Sequence, residues 1–263
     1  DSVSQLLSDA RSHSMKLVLL WFGSWKNGHS TYVPNWIKTD LERFPRTEDE
    51  SGVKTRTLSM FRSDLLTAEL NSFTNFMKFL KESDLDSQTV IAVQVENEVG
   101  ILGAARDFSP GAAEEYRKDV PRALIEHIEK AGTSFLSEAA DIYKSASDKS
   151  WANIFRRNAD EAFMCWNYSL HINRLVKSGK ACYALFMFTN AWLKESDDEK
   201  PGVYPCGGPV PEMLDIWKCG APDLDALSPD LYTFSFEKAA GLYTRSDNPL
   251  FIAETRRDKW APA

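Results

Sequence analysis

Short apolar runs constrain the fold of this chain more than any other feature. They span residues 15–22, 89–95, 181–189 and 249–253, and a weaker run spans residues 225–231. A strand that is apolar on both faces is typical of a parallel sheet covered by helices, whereas a half-exposed strand alternates apolar and polar residues. The runs therefore predict the strands of a parallel sheet.

Helical periodicity fills the segments between these runs. Leu66, Leu70, Phe73, Met77 and Leu80 step by four, three, four and three residues along one helix face. Apolar spacing, together with proline and glycine at the ends, predicts further helices over residues 121–131, 160–177, 211–218 and 236–243. Strands that alternate with helices indicate βα units joined into a parallel sheet.

The connections favour a (β/α)8 barrel. Segments that follow the strands, such as residues 23–64 and 190–210, are long and rich in Trp, Gly, Pro and Asn, while those that precede strands are short. In a (β/α)8 barrel the loops after the strands form the active-site face. A doubly wound sheet is the main alternative, but its glycine-rich phosphate-binding turn follows none of the candidate strands.

Composition and charge narrow the range of partners. A hydrophobic content of 43% suits a globular core, and a formal net charge of -7 disfavours nucleic acid and anionic membranes, which attract basic surfaces. The longest apolar run, residues 17–22, is far shorter than the roughly 20 residues of a membrane span.

The histidines and cysteines have no metal-ligand spacing, so we expect no metal and no cofactor. The cellular compartment and the formation of a homo-oligomer stay open.

Two glutamates at strand ends carry the chemistry. Glu98 lies in the heptapeptide 94–100, which ends one apolar run, and Glu254 closes the run that begins at Leu250. Taken alone, Glu96 and Glu98 could simply begin a solvated loop. Two carboxyl groups at the same end of a sheet, however, supply the proton donor and the ionised group that glycoside hydrolysis requires, at about 5 to 5.5 Å in retaining enzymes.

Four motifs carry a family resemblance. They are Gln-Val-Glu-Asn-Glu-Val-Gly at 94–100, Trp-Phe-Gly-Ser-Trp-Lys-Asn-Gly at 21–28, Thr-Asn-Ala-Trp-Leu at 189–193 and Ser-Pro-Asp-Leu-Tyr at 228–232. With these motifs the chain resembles the clan A glycoside hydrolases, and within them the β-galactosidases of glycoside hydrolase family 35. The resemblance implies that Glu98 is the general acid/base and Glu254 the nucleophile. The chain departs from the family pattern at Val99, where a tyrosine is usual.

The resemblance also implies polar contacts with a β-galactoside or a related oligosaccharide. Asn97 is expected to hydrogen-bond the sugar 2-hydroxyl, a contact that strengthens in an oxocarbenium-like transition state. Asn27 and Asn190 are further candidates for polar contacts with the sugar.

Three aromatic residues have two interpretations each. Trp25 and Trp192 either stack on the apolar face of a pyranose or pack in the core, since Trp is mostly buried whatever its role. Tyr232 either holds Glu254 by a hydrogen bond or is a core aromatic residue with its hydroxyl at the rim.

Counted against the family, the first predicted strand corresponds to strand three and the last to strand seven. We therefore expect residues 1–263 to form a single partial (β/α)8 catalytic domain, from a fragment or a truncated relative. The implied function is a retaining β-galactosidase that acts on terminal β-linked galactosyl residues, or a β-glycosidase for another sugar. A noncatalytic or vestigial carbohydrate-binding protein is the alternative. Without strands one, two and eight, we expect the isolated chain not to be a working enzyme.

Overall fold

A parallel sheet forms the centre of the structure. The computed structural model describes residues 2–132, 135–196, 198–232 and 236–256. In chain order the strands are β1 (Leu17–Trp21), β2 (Arg46–Glu48), β3 (Lys54–Leu58), β4 (Val90–Val95), β5 (Phe186–Trp192), β6 (Ala226–Leu231) and β7 (Glu254–Thr255). The sheet has the order β1-β4-β5-β6-β7, and every neighbouring pair in it is parallel. Strands β2 and β3 form a separate antiparallel pair in the connection that follows β1.

Helices separate the strands of the parallel sheet. They are α1 (Ser2–Ser12), α2 (Asn35–Thr39), α3 (Ser63–Asp84), α4 (Pro110–Tyr116), α5 (Arg122–Ala131), α6 (Ser137–Ser145), α7 (Trp151–Phe155), α8 (Ala159–Cys182), α9 (Leu214–Gly220) and α10 (Phe236–Tyr243). Because strands adjacent in the sheet follow one another in the chain with helical connections, the arrangement is that of consecutive units of a (β/α)8 barrel. The prediction of an incomplete (β/α)8 barrel is confirmed.

Two strand boundaries differ from the prediction. The apolar run at 181–189 begins as helix, because α8 continues through Cys182 and β5 starts only at Phe186. The run at 249–253 precedes β7 rather than forming it, and the pairs that join β7 to β6 are Asp230 with Glu254 and Leu231 with Thr255. Apolar runs alone cannot separate the end of a buried helix from the start of a buried strand.

The core lies mainly between the sheet and the helices. Helix α3 contributes Phe73, Met77 and Leu80, which are fully buried, and the outward-facing side chains of β4 and β5 include Val93 and Met187. A smaller apolar cluster occupies the opposite face of the sheet and contains Ala92, Phe188 and Ala226, with Val18, Phe186, Phe251 and Ala253 packed against it. The parallel sheet therefore has apolar residues on both faces, as its sequence predicts.

A buried aspartate ties the first helices to the sheet. The Asp84 carboxylate accepts hydrogen bonds from the N–H groups of Thr89 and Val90 at 3.0 and 2.8 Å, and from the Arg11 guanidinium at 2.8 Å. These donors hold the pKa of Asp84 below its ordinary value, although burial acts in the opposite direction. The start of β4, and with it the carboxyl end of that strand, is thereby fixed relative to α1 and α3.

No helix in the described part of the chain is both long and apolar enough to cross a membrane. All four cysteines carry free thiols, and Cys165 and Cys206 are buried.

Candidate active site

The backbone turns sharply where β4 ends. Glu96 and Glu98 have φ angles of 61° and 44°, in the left-handed region that non-glycine residues occupy at a cost of about 1–3 kcal/mol each. Hydrogen bonds to the neighbouring strands hold this conformation: Glu96 N–H donates to the Trp21 carbonyl at 2.9 Å, and Glu98 N–H donates to Asn190 Oδ1 at 3.0 Å. The turn directs the two glutamates to different surroundings.

Three carboxyl groups converge at the carboxyl ends of the strands. Glu98 follows β4, Asp230 lies on β6 and Glu254 begins β7, and one oxygen atom from each lies within 4.8 Å of the other two. The Tyr232 hydroxyl donates to Glu254 Oε2 at 2.6 Å. In retaining glycosidases the two carboxyl groups are separated by about 5–5.5 Å, and in inverting enzymes by about 6.5–9.5 Å. The Glu98 and Glu254 oxygens approach to within 4.8 Å, which is nearer to the retaining separation than to the inverting one.

The surroundings of Glu98 favour its protonated form. Burial and the charge of Glu254 raise the pKa of Glu98, whereas the charge of Lys26 and hydrogen bonds from Asn27 and Asp230 act to lower it. Burial and the charge of Glu254 also raise the pKa of Asp230, to about 9. A carboxyl group with a raised pKa next to an ionised one is the arrangement that glycosidases use to separate an acid from a nucleophile.

Asn190 and Asn97 contact two of the converging residues, Glu98 and Asp230. Asn190 Oδ1 accepts the Glu98 N–H, and its Nδ2 donates to Asp230 Oδ2 at 2.8 Å and to Asn97 Oδ1 at 3.1 Å. Asn97 Nδ2 donates to the Lys26 carbonyl at 2.8 Å and makes a longer contact of 3.4 Å with Glu98 Oε2. Both side chains are buried, so they orient the carboxyl groups. A sugar hydroxyl could replace only the weakest of the Asn97 contacts, the long one with Glu98.

Asn27 approaches Glu98 from the loop that follows β1. Its side chain hydrogen-bonds the Glu98 carboxylate, and its Oδ1 also accepts the N–H groups of His29 and Ser30 at 3.0 Å each. The second pair of bonds closes a turn of the loop, and this turn fixes the position of the amide group next to Glu98. Trp192, at the end of β5, is half-buried and lies 6.0 Å from the His29 ring.

Trp25 does not line the site. Its side chain is 1% exposed, its indole Nε1 donates to the Leu58 carbonyl at 3.2 Å, and its ring packs edge-on against Tyr168 and His171. A sugar has no access to either face of this ring. Of the two interpretations of Trp25, core packing is the one that its environment supports.

A second group of titratable residues lies behind the loop after β1. Glu96 is fully buried, and it accepts the N–H groups of Ser24 at 2.9 Å and Trp25 at 2.7 Å. Its carboxyl group also hydrogen-bonds Glu69 of α3, and Glu69 Oε2 lies 2.7 Å from His171 Nε2. We call Glu69, Glu96 and His171 the buried triad.

The two glutamates of the buried triad titrate in opposite directions. Burial and the charge of Glu69 raise the pKa of Glu96 well above its ordinary value. Although burial raises the pKa of Glu69, hydrogen bonds from Glu96 and His171 and the charge of His171 outweigh it, so the pKa falls to about 2. Glu96 therefore donates its proton to an ionised Glu69.

Sequence reasoning missed both the buried triad and Asp230. A solvated start to the loop was one interpretation of Glu96, and its complete burial contradicts that interpretation. A signal was present: Glu69 stands four residues before Phe73, on the buried stripe of α3, where an acidic residue needs a partner. Asp230 likewise lies within a strand whose residues are all buried.

The three converging carboxyl groups do not by themselves define a cation site. Hard cations such as Ca²⁺ take about six to eight oxygen ligands. Glu254 is hydrogen-bonded to Tyr232, Asp230 to Asn190, and Glu98 to Asn27. We assign no metal site to these residues.

Comparison with known proteins places the fold among glycosidase barrels. No family model and no curated protein sequence matches the chain. A polyextremophilic β-galactosidase from the Antarctic haloarchaeon Halorubrum lacusprofundi is similar in structure, with a TM-score of 0.53 and 14% identity over 94% of this chain and 34% of its own. A β-galactosidase from Bacillus circulans sp. alkalophilus gives a TM-score of 0.52 and 13% identity over 88% of this chain and 32% of its own.

The catalytic domain of a β-amylase from Paenibacillus polymyxa is also similar, with a TM-score of 0.53 and 10% identity over 87% of this chain and 63% of its own. The chain thus spans about a third of the length of the two β-galactosidases. At these identities the similarity establishes the fold, an incomplete (β/α)8 barrel of the kind found in glycosidases.

Proposed function

We propose that this chain carries the catalytic centre of a retaining β-glycosidase, with Glu98 as general acid/base and Glu254 as nucleophile. The observation that carries the proposal is the approach of the Glu98 and Glu254 oxygens to within 4.8 Å at the carboxyl ends of two parallel strands. This separation favours direct attack by the second carboxylate, because an inverting enzyme needs room for a water molecule.

The reaction would proceed in two displacements. Glu98 donates its proton to the glycosidic oxygen while the Glu254 carboxylate attacks the anomeric carbon, and the leaving group departs from a glycosyl-enzyme ester. Glu98, now ionised, removes a proton from water, whose oxygen attacks the same carbon and releases Glu254. The raised pKa of Glu98, caused first by burial, supports the acid role. The Tyr232 hydrogen bond at 2.6 Å holds the attacking carboxylate.

A terminal β-galactosyl residue is the proposed sugar, and the substrate is a β-galactoside or a related oligosaccharide. The motif resemblance to family 35 β-galactosidases supports this choice, as do two similar structures that are themselves β-galactosidases. Around the carboxyl groups, we propose that Asn27, Trp192 and Tyr232 contact the sugar and that Asn97 reaches the 2-hydroxyl. A β-glycosidase for another sugar would use the same two carboxyl groups, because they act on the glycosidic bond rather than on the hydroxyl that distinguishes galactose.

A noncatalytic carbohydrate-binding protein is the second candidate. In the described residues, β1 and β7 each pair with one strand of the sheet, so the sheet that carries the site has two open edges. We propose accordingly that residues 1–263 form one partial (β/α)8 catalytic domain. Binding without hydrolysis would then be the property of this chain by itself.

The test is hydrolysis of a panel of nitrophenyl β-glycosides by the full-length protein and three variants. Glu254→Ala should reduce activity to background. Glu98→Gln should lose about 10²–10⁴-fold on poor leaving groups, because they need the proton, and much less on activated aryl glycosides in the first step. Glu82→Gln, an exposed change on α3, is the matched control. Wild-type rates in Glu254→Ala would refute the nucleophile, and sugar binding without turnover would favour the second candidate.

A further inference from the structure

Asp230 is a carboxyl group within the proposed site that has no assigned role. It is 1% exposed on β6, and Asn190 Nδ2 lies 3.1 Å from its Oδ1 and 2.8 Å from its Oδ2. Its carboxyl group also hydrogen-bonds that of Glu98, and an oxygen of Glu254 lies within 4.8 Å. The question is what state such a group adopts between the proposed acid and the proposed nucleophile.

Proton counting limits the answer. A hydrogen bond between two carboxyl groups requires that one of them carry a proton, and three carboxyl groups this close cannot all be ionised. The titratable groups that act on Asp230 or on its carboxyl partners are Glu98, Glu254, Tyr232, Tyr243 and Lys26. Lys26 is the one cation in this set, and its charge acts on Glu98. At least one of the three carboxyl groups is therefore neutral.

Burial decides which group keeps its proton most firmly. Glu98 and Glu254 are half-buried, while Asp230 is almost completely enclosed. Burial and the charge of Glu254 raise the pKa of Asp230 to about 9, even though the hydrogen bond from Asn190 opposes the shift. Asp230 is consequently neutral at pH values at which Glu254 has to be ionised to attack.

We propose that Asp230 is a positioning residue that keeps its proton throughout the reaction and donates a hydrogen bond to the Glu98 carboxylate. This inference rests on the proposed function. When the Glu98 proton passes to the glycosidic oxygen, a negative charge remains on Glu98, and the Asp230 O–H stabilises it. When water later returns a proton to Glu98, the same hydrogen bond keeps the carboxylate directed at the water. Asp230 itself neither gains nor loses a proton.

The neutral state matters for charge as well as geometry. An ionised Asp230 would place a second negative charge, besides that of Glu254, next to the protonated Glu98 and would hold the Glu98 proton too tightly for transfer. A neutral donor has the opposite effect, because its hydrogen bond acts to lower the pKa of Glu98. Asp230 would thus adjust the acid strength of Glu98 without contact with the sugar.

Two substitutions of Asp230 separate a neutral donor from an anion. Asp230→Asn keeps one donor for Glu98 and one acceptor for Asn190, as a protonated carboxyl group does, whereas Asp230→Leu keeps neither. The measurement is kcat and KM against pH in the full-length protein, on the glycoside that the wild type hydrolyses best. Asp215→Asn is the control, since Asp215 is a buried aspartate of α9 that pairs with Arg245 at 2.6 Å.

We expect Asp230→Asn to keep kcat within about tenfold of wild type and to leave the alkaline limb of the kcat–pH profile at the same pH. Asp230→Leu should lose about 10²-fold or more in kcat at similar KM and move the alkaline limb to higher pH, because Glu98 loses a donor. Asp215→Asn should leave the limb unmoved. Equal losses and equal limb shifts in Asp230→Asn and Asp230→Leu would overturn the inference, and so would a loss of stability in both with no shift of the limb.

A second readout does not depend on catalysis. The pKa of Asp230 is about 9 in the folded protein and about 3.9 in the unfolded chain, so at pH values between these two the folded protein binds an extra proton. Asp230 therefore destabilises the protein progressively as the pH rises through that window, and Asp230→Asn should increase Tm more at pH 8 than at pH 5. An equal change in Tm at the two pH values would refute a neutral Asp230. If the wild type hydrolyses no glycoside while the Tm difference follows pH, the proposed function fails and the protonation of Asp230 stands.

Discussion

Gly23→Ala should destabilise the protein strongly, because Gly23 lies against the buried triad. A Cβ atom at this position would lie 2.4 Å from Glu69 Oε1, 2.4 Å from Glu96 Oε1 and 2.7 Å from Trp21 Nε1. Ordinary contacts begin about 1 Å farther away. The two carboxyl groups cannot simply move aside, since Ser24 and Trp25 donate backbone N–H groups to Glu96.

The magnitude follows from these contacts. Overpacking of a rigid site costs about 1–3 kcal/mol. Displacing Glu96 by about 1 Å also leaves buried N–H groups without their acceptor, at about 1–3 kcal/mol each. With partial relaxation, we expect a loss of about 3–5 kcal/mol from a typical stability of about 5–15 kcal/mol. Gly241→Ala is the control: it lies in α10, nothing lies within 4 Å of its added Cβ, and it should gain about 0.5–1 kcal/mol.

Urea unfolding of the full-length protein, followed by circular dichroism, measures both variants. The free energy of unfolding should fall for Gly23→Ala and rise slightly for Gly241→Ala, with unchanged dependence on urea. A Gly23→Ala value within about 0.5 kcal/mol of wild type would refute the reasoning, because the two carboxyl groups would then yield easily to an added methyl group.

Three further predictions concern the acid, the core and the sheet edges. In Glu98→Gln the alkaline limb of the pH–rate profile on activated aryl glycosides should disappear, because the wild-type limb reports loss of the Glu98 proton. If the limb is retained, it reports the proton of a different group. Trp25→Phe should lose about 1–3 kcal/mol of stability, because the buried Leu58 carbonyl loses its donor, while KM stays unchanged; a large rise in KM would return Trp25 to the sugar site. Residues 1–263 expressed alone should associate or aggregate and hydrolyse β-galactosides far below ordinary enzymatic rates. The reason is that β1 and β7 each pair with one strand in the described part of the chain. A preparation that is monodisperse in size-exclusion chromatography and active in the nitrophenyl assay would contradict this prediction.

The elements of the sheet were predictable because their burial leaves a local signature. A strand enclosed between helices and a barrel interior is apolar on both faces, so β1, β4 and β6 could be read from short windows of sequence. The start of β5 could not, because the end of α8 is just as apolar and no local signal separates them. For the same reason the run before β7 resembles a strand although only Glu254 and Thr255 pair with β6.

The site was predictable only in part, since its chemistry depends on which side chains become enclosed. Glu98 and Glu254 could be singled out because each follows an apolar run, where an acidic residue is unusual. Trp25 is different: it follows the same strand as Asn27, yet its side chain is buried in the core, and its backbone N–H donates to the Glu96 carboxyl group. That contact joins residues 71 apart in the chain, and no local pattern encodes it.

The acid strength of Glu98 is set from two sides by groups that are remote from each other in sequence. On one side, the buried triad holds Ser24 and Trp25, and the loop beyond them brings Lys26 and Asn27 to Glu98, where both act to lower its pKa. On the other side, Asn190 orients Asp230 against the same carboxyl group.

Burial and the charge of Glu254 act against these groups and raise the pKa of Glu98. Glu69→Gln, made in α3 without any contact to Glu98, should therefore disturb the loop through Glu96 and shift the pH dependence of kcat rather than KM. Comparison with Glu82→Gln, on the exposed face of the same helix, would separate this effect from a general effect of losing a glutamate. A KM change at constant pH dependence would mean that the loop positions the sugar instead of the acid.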